Sequence, residues 1–193
     1  MNPCAFDSTM LSLLLNPKSK AVLDPETGKP IEFARERVQG LVRRLNKSRQ
    51  KIIIPTPVTA EILSAVGPGN ADYLRIINRA RIFEVRPFDE IAAFELAFLN
   101  RDVFGQQDRV QKLENRQKIK VDRQILAVCK VADCETLYTD DANLRNRAEM
   151  CGIKALGIGD IPIPDSAKQI EMNLEQHDDL PEVVADDKQD TAE

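Results

Sequence analysis

The chain has 193 residues, 42% of them hydrophobic and 30% charged, which suits one globular domain with a sizeable core and excludes a membrane span of about 20 apolar residues. The net charge of −4 is uneven, because residues 160–193 carry a net charge of −9 and residues 1–159 a net charge of +5. Four cysteines without paired spacing and a single histidine argue for buried thiols, and against a zinc site or Cys–His or Ser–His catalysis, so carboxylates are the candidate catalytic groups.

Strand and helix signals alternate from the start of the chain. Pro3 to Phe6 predicts a short buried strand, and the apolar helix that follows takes Asp7 or Ser8 as its cap. Turn-forming residues between two short apolar runs predict a hairpin at residues 21–33. An amphipathic helix over residues 34–50 comes next. Its outer face carries six basic residues: Arg35, Arg37, Arg43, Arg44, Lys47 and Arg49. Such a face could hold phosphates or simply be solvated.

A second strand-to-helix junction lies near residue 55. The β-branched run at residues 51–54 predicts a buried strand that Pro55 ends, and Thr56 then caps a helix. Glu61 lies about one turn into this helix beside apolar residues. It is either an exposed helix glutamate or an acid that points at the edge of the sheet.

The middle of the chain continues the alternation. After a break at residues 67–69, the pattern predicts a helix over residues 71–80, a strand over 81–85 and a helix from 90 to about 99. The apolar residues expected on the inward faces of these two helices are Tyr73, Leu74, Ile76, Ile77, Ile91, Phe94, Leu96, Ala97 and Phe98. Residues 102–118 are polar and poorly periodic, which predicts a loop or frayed helix. Its basic residues either contact substrate or are simply solvated; they are Arg109, Lys112, Arg116 and Lys118.

Lys120 to Leu144 is the most informative stretch. Apolar residues at helical spacing predict a helix with Asp122 at its start on the inward face, where free N–H groups favour a carboxylate. Residues 136–138 read as a buried strand that ends in Thr139-Asp140-Asp141. Since neighbouring strand residues point to opposite sides, Asp141 shares the side of Thr139, and Asp140 is the less favoured ligand. A helix over residues 143–150 and a strand over 153–158 complete the pattern.

The alternation of strands and helices predicts an α/β fold, an α/β/α sandwich with a mainly parallel central sheet. Asp7 and Asp141 follow strands, while Glu61 and Asp122 lie in the first turns of helices. If these four acids meet at the carboxyl edge of the sheet, each raises the pKa of the others unless a cation offsets their charge. Oxygen ligands without His or Cys select Mg²⁺ or Mn²⁺.

Four motifs in this order resemble those of the PIN-domain ribonucleases, most closely the VapC-like toxins. The motifs are Phe6-Asp7-Ser8, the helix segment Ile54 to Leu63 with Glu61, Val121-Asp122-Arg123-Gln124-Ile125, and the strand end Leu137 to Leu144 with Thr139 and Asp141. The resemblance implies a PIN-like fold and a metal-dependent endoribonuclease, which could be the toxin of a type II toxin–antitoxin pair. It implies Mg²⁺ or Mn²⁺ ligation by Asp7, Glu61, Asp122 and Asp141, with Thr139 as a further catalytic-site residue.

The same resemblance implies an RNA substrate, a cognate antitoxin and a homodimer as partners. It covers residues 1–160 as one nuclease domain, with the hairpin at 21–33 as an insertion, and leaves residues 161–193 as an acidic tail expected to be disordered. The lack of a basic, apolar secretory leader predicts a cytoplasmic location. The chain departs from the family at Asn143, where many members carry another acid.

Two other functions are consistent with parts of the pattern. A non-catalytic PIN-like module would bind RNA or a protein through the basic helix at residues 34–50. Four converging carboxylates argue against it, because they do not help to bind a polyanion. A phosphatase of the haloacid dehalogenase type would use Asp7 as its nucleophile, but that family requires a second acid two residues later, where this chain has Thr9.

Overall fold

The computed structural model describes residues 2–16, 19–24, 27–66, 70–105 and 116–167. Its strands are β1 (Cys4–Phe6), β2 (Ile52–Pro55), β3 (Phe83–Arg86), β4 (Thr136–Tyr138) and β5 (Lys154–Leu156). The helices in this part of the chain are α1 (Ser8–Leu15), α2 (Ala34–Lys47), α3 (Thr56–Val66), α4 (Asn70–Arg79), α5 (Glu90–Asp102), α6 (Arg116–Val131) and α7 (Ala142–Met150).

The five strands form one parallel sheet in the order β3-β2-β1-β4-β5, which confirms the predicted α/β class. The chain builds outward from β1 to β3 and then crosses back to β4 on the other side of β1. Because parallel connections are right-handed, this reversal puts α1–α4 on one face and α5–α7 on the other, as an α/β/α sandwich. The order of strands reverses between β1 and β4, and ligands of such sheets bind at the carboxyl ends of the strands at that point.

All residues of β1 and β2 are buried, because strands flank both and helices cover the sheet. The four cysteines Cys4, Cys129, Cys134 and Cys151 are also buried and free, as predicted. Burial raises the pKa of Cys4 to about 12 and that of Cys151 to about 11, so neither side chain supplies a thiolate at neutral pH. No helix in the described part of the chain is both long and apolar enough to cross a bilayer.

The predicted start of the helix around Asp122 was wrong. Helix α6 begins at Arg116, which places Asp122 in its second turn, beyond the free N–H groups of the helix end. Ile119 is buried, so the inward face of α6 begins before residue 120. Ile119 lies among basic residues, and the sequence pattern therefore did not indicate that the helix starts there. The segment 102–118, predicted as a loop or frayed helix, is helical at both ends. Asp102 ends α5, residues 116–118 belong to α6, and residues 106–115 lie outside the described part.

Helix α5 does not have the broad buried face that its apolar residues predicted. Ile91, Phe94 and Phe98 are 63%, 60% and 51% exposed, whereas Ala92 and Leu99 are buried. Only one side of α5 packs on the rest of the domain, chiefly on α6, and sequence periodicity does not say which apolar stripe is covered. Ile76 on α4 is likewise exposed, against the prediction, while Tyr73 and Ile77 are buried as expected.

Smaller differences concern the ends of elements. Strand β2 includes Pro55, and β3 begins two residues later than predicted. The hairpin at residues 21–33 is a single antiparallel bridge between Leu23 and Pro30, with Gly28 at a positive φ of 67° in its turn. Thr56 is the first residue of α3, and its hydroxyl accepts a hydrogen bond of 2.9 Å from the Phe88 N–H.

Part of the basic surface of α2 serves the fold. Arg35 donates through Nη2 to the Asn16 carbonyl at 2.6 Å and to the Ser19 hydroxyl at 3.0 Å. Arg37 donates to the carbonyl of Gly159 at 3.1 Å and also to that of Ile161. Their charges are therefore committed to contacts within the fold, while Arg43, Arg44, Lys47 and Arg49 remain exposed. Ile161 is buried, and residues 168–193 of the predicted tail lie outside the described part of the chain.

Candidate acidic active site

A cleft of about 860 Å³ opens where the order of strands reverses. Its walls come from α1, α3, α4, α6, α7 and the segment after α1. The cleft brings together the four predicted acids Asp7, Glu61, Asp122 and Asp141. The other polar groups that line it are Ser8, Thr9, Ser12, Asn16, Ser19, Lys20, Tyr73 and Lys118.

Asp7 lies at the floor of the cleft, only 5% exposed. It follows the last residue of β1 and caps α1, since its Oδ1 accepts a hydrogen bond of 2.9 Å from the Met10 N–H. Burial is the main reason that the pKa of Asp7 is raised to about 7, and the negative charges of Asp140 and Glu61 also raise it. The hydrogen bonds that Asp7 receives lower its pKa, but by less. Asp7 is thus both the cap of α1 and a carboxylate of the cleft.

Thr139 connects two of the acids. Thr139 is fully buried and directly follows β4. It lies close to Asp7, because the preceding residues of the two strands, Tyr138 and Phe6, are paired in the sheet. Its hydroxyl accepts a hydrogen bond of 3.1 Å from the Asp141 N–H and makes a second hydrogen bond with the Asp7 carboxylate, to which it donates. A hydroxyl has one proton to donate. Because the Thr139 hydroxyl accepts from Asp141, its own proton points at the Asp7 carboxylate and orients it.

Asp122 is 5% exposed and accepts a hydrogen bond of 2.9 Å from Arg147 Nη1 to its Oδ2. Burial raises the pKa of Asp122 to about 6, and the charge of Asp141 raises it further, against the opposing effects of Arg147 and Lys118. The arginine therefore does not fully offset the loss of water around this carboxylate.

The two oxygens of Asp141 have separate tasks. Oδ1 caps α7 by accepting hydrogen bonds from the N–H groups of Asn143 at 2.9 Å and Leu144 at 3.1 Å. Oδ2 forms an ion pair with Lys118 Nζ. Burial alone would raise the pKa of Asp141, but Lys118 and the capping N–H groups together hold it below its usual value.

The remaining acids differ in position. Glu61 is exposed and lines the open side of the cleft. Asp140 faces a second pocket with Asp24, Arg145 and Asp160, where its Oδ1 accepts a hydrogen bond of 2.9 Å from the Ile158 N–H. Because neighbouring residues after β4 point to opposite sides, Asp140 and Asp141 line different pockets.

The chemistry of the cleft fits a hard divalent cation, although its carboxylates do not converge on one point. Within the described ranges, no three His, Cys, Asp or Glu side chains lie close enough to hold a metal ion. Yet the ligand set is all oxygen, and the pKa values of Asp7 and Asp122 are raised partly by neighbouring negative charge, which a bound cation would offset. Lys118 and Arg147 supply part of the missing positive charge.

Sequence reasoning did not find Arg147, and it treated Lys118 only as one of several basic loop residues that could contact substrate, without relating it to the acids. Arg147 reaches Asp122 from another helix, 25 positions along the chain, and no local pattern marks such a contact. Lys118 did carry a signal, because it precedes Asp122 by four residues and such pairs share a helix face. A helix predicted to begin after Lys118 conceals that signal.

A sequence model described as "PIN domain" matches residues 34–158, which include Glu61, Asp122, Thr139 and Asp141 but not Asp7. No curated protein matches the chain. One similar solved structure is VapBC2 from Rickettsia felis bound to a DNA fragment from their promoter, with 13% identity, a TM-score of 0.53, and coverage of 79% of this chain and 96% of that chain. Another is FitAB bound to the IR36 DNA fragment, with 16% identity, a TM-score of 0.50, and coverage of 81% and 95%. At such identities the likeness shows the fold.

Proposed function

This chain belongs to the PIN domain family, and we propose that its acidic cleft hydrolyses RNA phosphodiester bonds with Mg²⁺ or Mn²⁺. The observation that carries the proposal is the meeting of Asp7, Glu61, Asp122 and Asp141 in one cleft at the carboxyl ends of β1 and β4. A binding module for RNA would gain nothing from acids that repel the phosphates of its ligand.

The four carboxylates would supply oxygen ligands for one or two ions. When bound, such an ion would act as a Lewis acid that polarises the phosphate and favours deprotonation of an attacking water. Asp7 is held in place by the Met10 N–H and by Thr139, and Asp122 by Arg147. These contacts fix the carboxylates before substrate arrives, which lowers the cost of assembling the site. Glu61 and Lys118 lie at the accessible side of the cleft, where the strand would enter.

The test is cleavage of end-labelled RNA by the wild type and by Asp122→Asn, with Mn²⁺, with Mg²⁺ and with EDTA. We expect discrete products from the wild type only, and none in EDTA. Full activity of the variant would contradict the assigned role of Asp122. A folded wild type that binds RNA but cleaves none at any concentration of either metal would instead favour the non-catalytic module, with the exposed cations of α2 as its contact surface.

Two protein partners follow from the family resemblance, and both are proposals. A cognate antitoxin is supported by the two similar structures, because VapBC2 and FitAB are toxin–antitoxin complexes. Cleavage of RNA should cease when the chain is co-purified with that antitoxin and return when the two are separated. A homodimer is supported by the exposed apolar stripe of α5, formed by Ile91, Phe94 and Phe98. The cytoplasmic location stays a prediction.

A further inference from the structure

The oxygen of Asp141 that a cation could reach is already occupied. Oδ1 is committed to the cap of α7, where it accepts hydrogen bonds from two N–H groups. Oδ2 is left for a ligand, and Lys118 Nζ is paired with it. A divalent ion that used Asp141 without breaking the helix cap would therefore have to take the place of the ammonium.

The two cations that pair with acids of the cleft, Arg147 and Lys118, differ in how easily they can leave. The Arg147 side chain is 11% exposed and is held against the buried Asp122, so its departure would uncover a carboxylate in the interior. The Lys118 side chain is 58% exposed, and an ion pair so open to water contributes little to stability. Its flexible stem can carry the ammonium from the carboxylate into solvent without moving the helix.

Lys118 also interacts with more of the site than its direct partner. Its pKa is raised first by the hydrogen bond to Asp141 and further by the charges of Asp141, Asp122 and Glu61. Three of the four proposed ligands therefore attract the ammonium, and a divalent ion in the cleft would repel it. The side chain would then lie at the entrance of the cleft, where the phosphates of an RNA strand must pass.

We propose that Lys118 is a displaceable counter-ion, which occupies the free oxygen of Asp141 while the cleft holds no divalent cation and binds an RNA phosphate once that cation has taken its place. This inference rests on the proposed function, because it takes the divalent ion and the RNA from it. It adds an order of events: the same positive charge first protects the acids from one another and then attracts the substrate.

The first test measures Mn²⁺ binding by calorimetry, without RNA. We expect Lys118→Met to bind Mn²⁺ about fivefold more tightly than the wild type, because one competitor for Asp141 is gone. Lys120→Met is the matched control. Lys120 is exposed on the same helix, and its substitution removes the same charge two residues away from Lys118. Its Mn²⁺ affinity should match that of the wild type within about twofold, because residues two apart on a helix do not lie on the same face.

The second test measures RNA binding against salt concentration, with Mn²⁺ present and with an RNA analogue whose backbone keeps its charge but resists cleavage, so that all four proposed metal ligands stay intact. Loss of one phosphate contact should reduce the slope of log affinity against log salt by about 0.7 in the Lys118→Met form. Lys118→Arg should restore the slope, and Lys120→Met should leave it unchanged.

Each outcome has one meaning. Equal or weaker Mn²⁺ binding by Lys118→Met, compared with Lys120→Met, would overturn the displacement. Tighter Mn²⁺ binding with an unchanged salt slope would overturn the transfer to phosphate. A wild type that binds neither Mn²⁺ nor RNA would overturn the proposed function itself.

Discussion

Arg147 donates a hydrogen bond of 2.9 Å to Asp122, and the two side chains are only 11% and 7% exposed. They come from α7 and α6, so the pair joins two walls of the cleft. Two residues earlier on α7, Arg145 pairs with Asp160 at 3.2 Å, but these side chains are 30% and 45% exposed. The same helix thus carries a buried and an open ion pair that can be compared directly.

We expect Arg147→Met to lower the free energy of unfolding by about 3 kcal/mol, because it leaves Asp122 buried without its partner. Arg145→Met should cost about 1 kcal/mol or less, since its pair is partly solvated. Urea unfolding of the metal-free protein at pH 7.5 measures both. Equal losses from the two variants would mean that burial of the Asp122 pair has no energetic consequence.

The stability of the metal-free protein should depend on the ionisation of Asp7. Its pKa is about 7 in the folded protein against the ordinary value of 3.8, so the folded state holds this proton more tightly than the unfolded state. The stabilising effect of the proton is complete below about pH 4 and is lost as the pH rises to about 7. One pKa unit corresponds to about 1.36 kcal/mol, so the loss amounts to a few kcal/mol.

Asp7→Asn isolates this effect, because asparagine also caps helices but does not titrate. The stability difference between the variant and the wild type should grow in favour of the variant from pH 5 to pH 8 in EDTA, as measured by urea unfolding. Mn²⁺ should stabilise the wild type at pH 8 and affect the variant less. A difference that stays constant with pH would show that Asp7 has an ordinary pKa.

The positions of Asp7, Thr139 and Asp141 could be predicted because each depends on a local pattern. A β-branched or apolar run predicts a buried strand, and the period of two predicts which side of the sheet each side chain faces. The carboxyl ends of parallel strands then lie at one edge of the sheet. The period of two also predicts that Asp140 and Asp141 point to opposite sides, and the two residues do line different pockets.

The parts that could not be predicted depend on what lies across the fold. Arg147 meets Asp122 through the packing of two helices, which leaves no mark on the spacing of either. The exposed stripe of α5 has the composition and period of a core face, and only the placement of α6 decides which side is covered. The start of α6 was missed because basic residues surround the one apolar residue, Ile119, that continues its face.

The stripe of α5 should mediate self-association. Light scattering after size-exclusion chromatography should give a dimer mass for the wild type and a monomer mass for the double variant Phe94→Gln, Phe98→Gln. Both side chains are more than half exposed, so their replacement should leave the unfolding midpoint nearly unchanged. A wild type that is monomeric at concentrations of about 0.1 mM would refute the dimer.

The central claim is that the carboxylates of this cleft, and not acids in general, carry out RNA hydrolysis. The adjacent residues Asp140 and Asp141 test it most directly, because they lie in different pockets and asparagine can keep the backbone hydrogen bonds that each accepts. The measurement is the initial rate of RNA cleavage in Mn²⁺ by the wild type, Asp140→Asn and Asp141→Asn. We expect Asp141→Asn to lose about 100-fold or more and Asp140→Asn to stay within about threefold of the wild type. Equal rates for the two variants, or wild-type cleavage that persists in EDTA, would contradict the account.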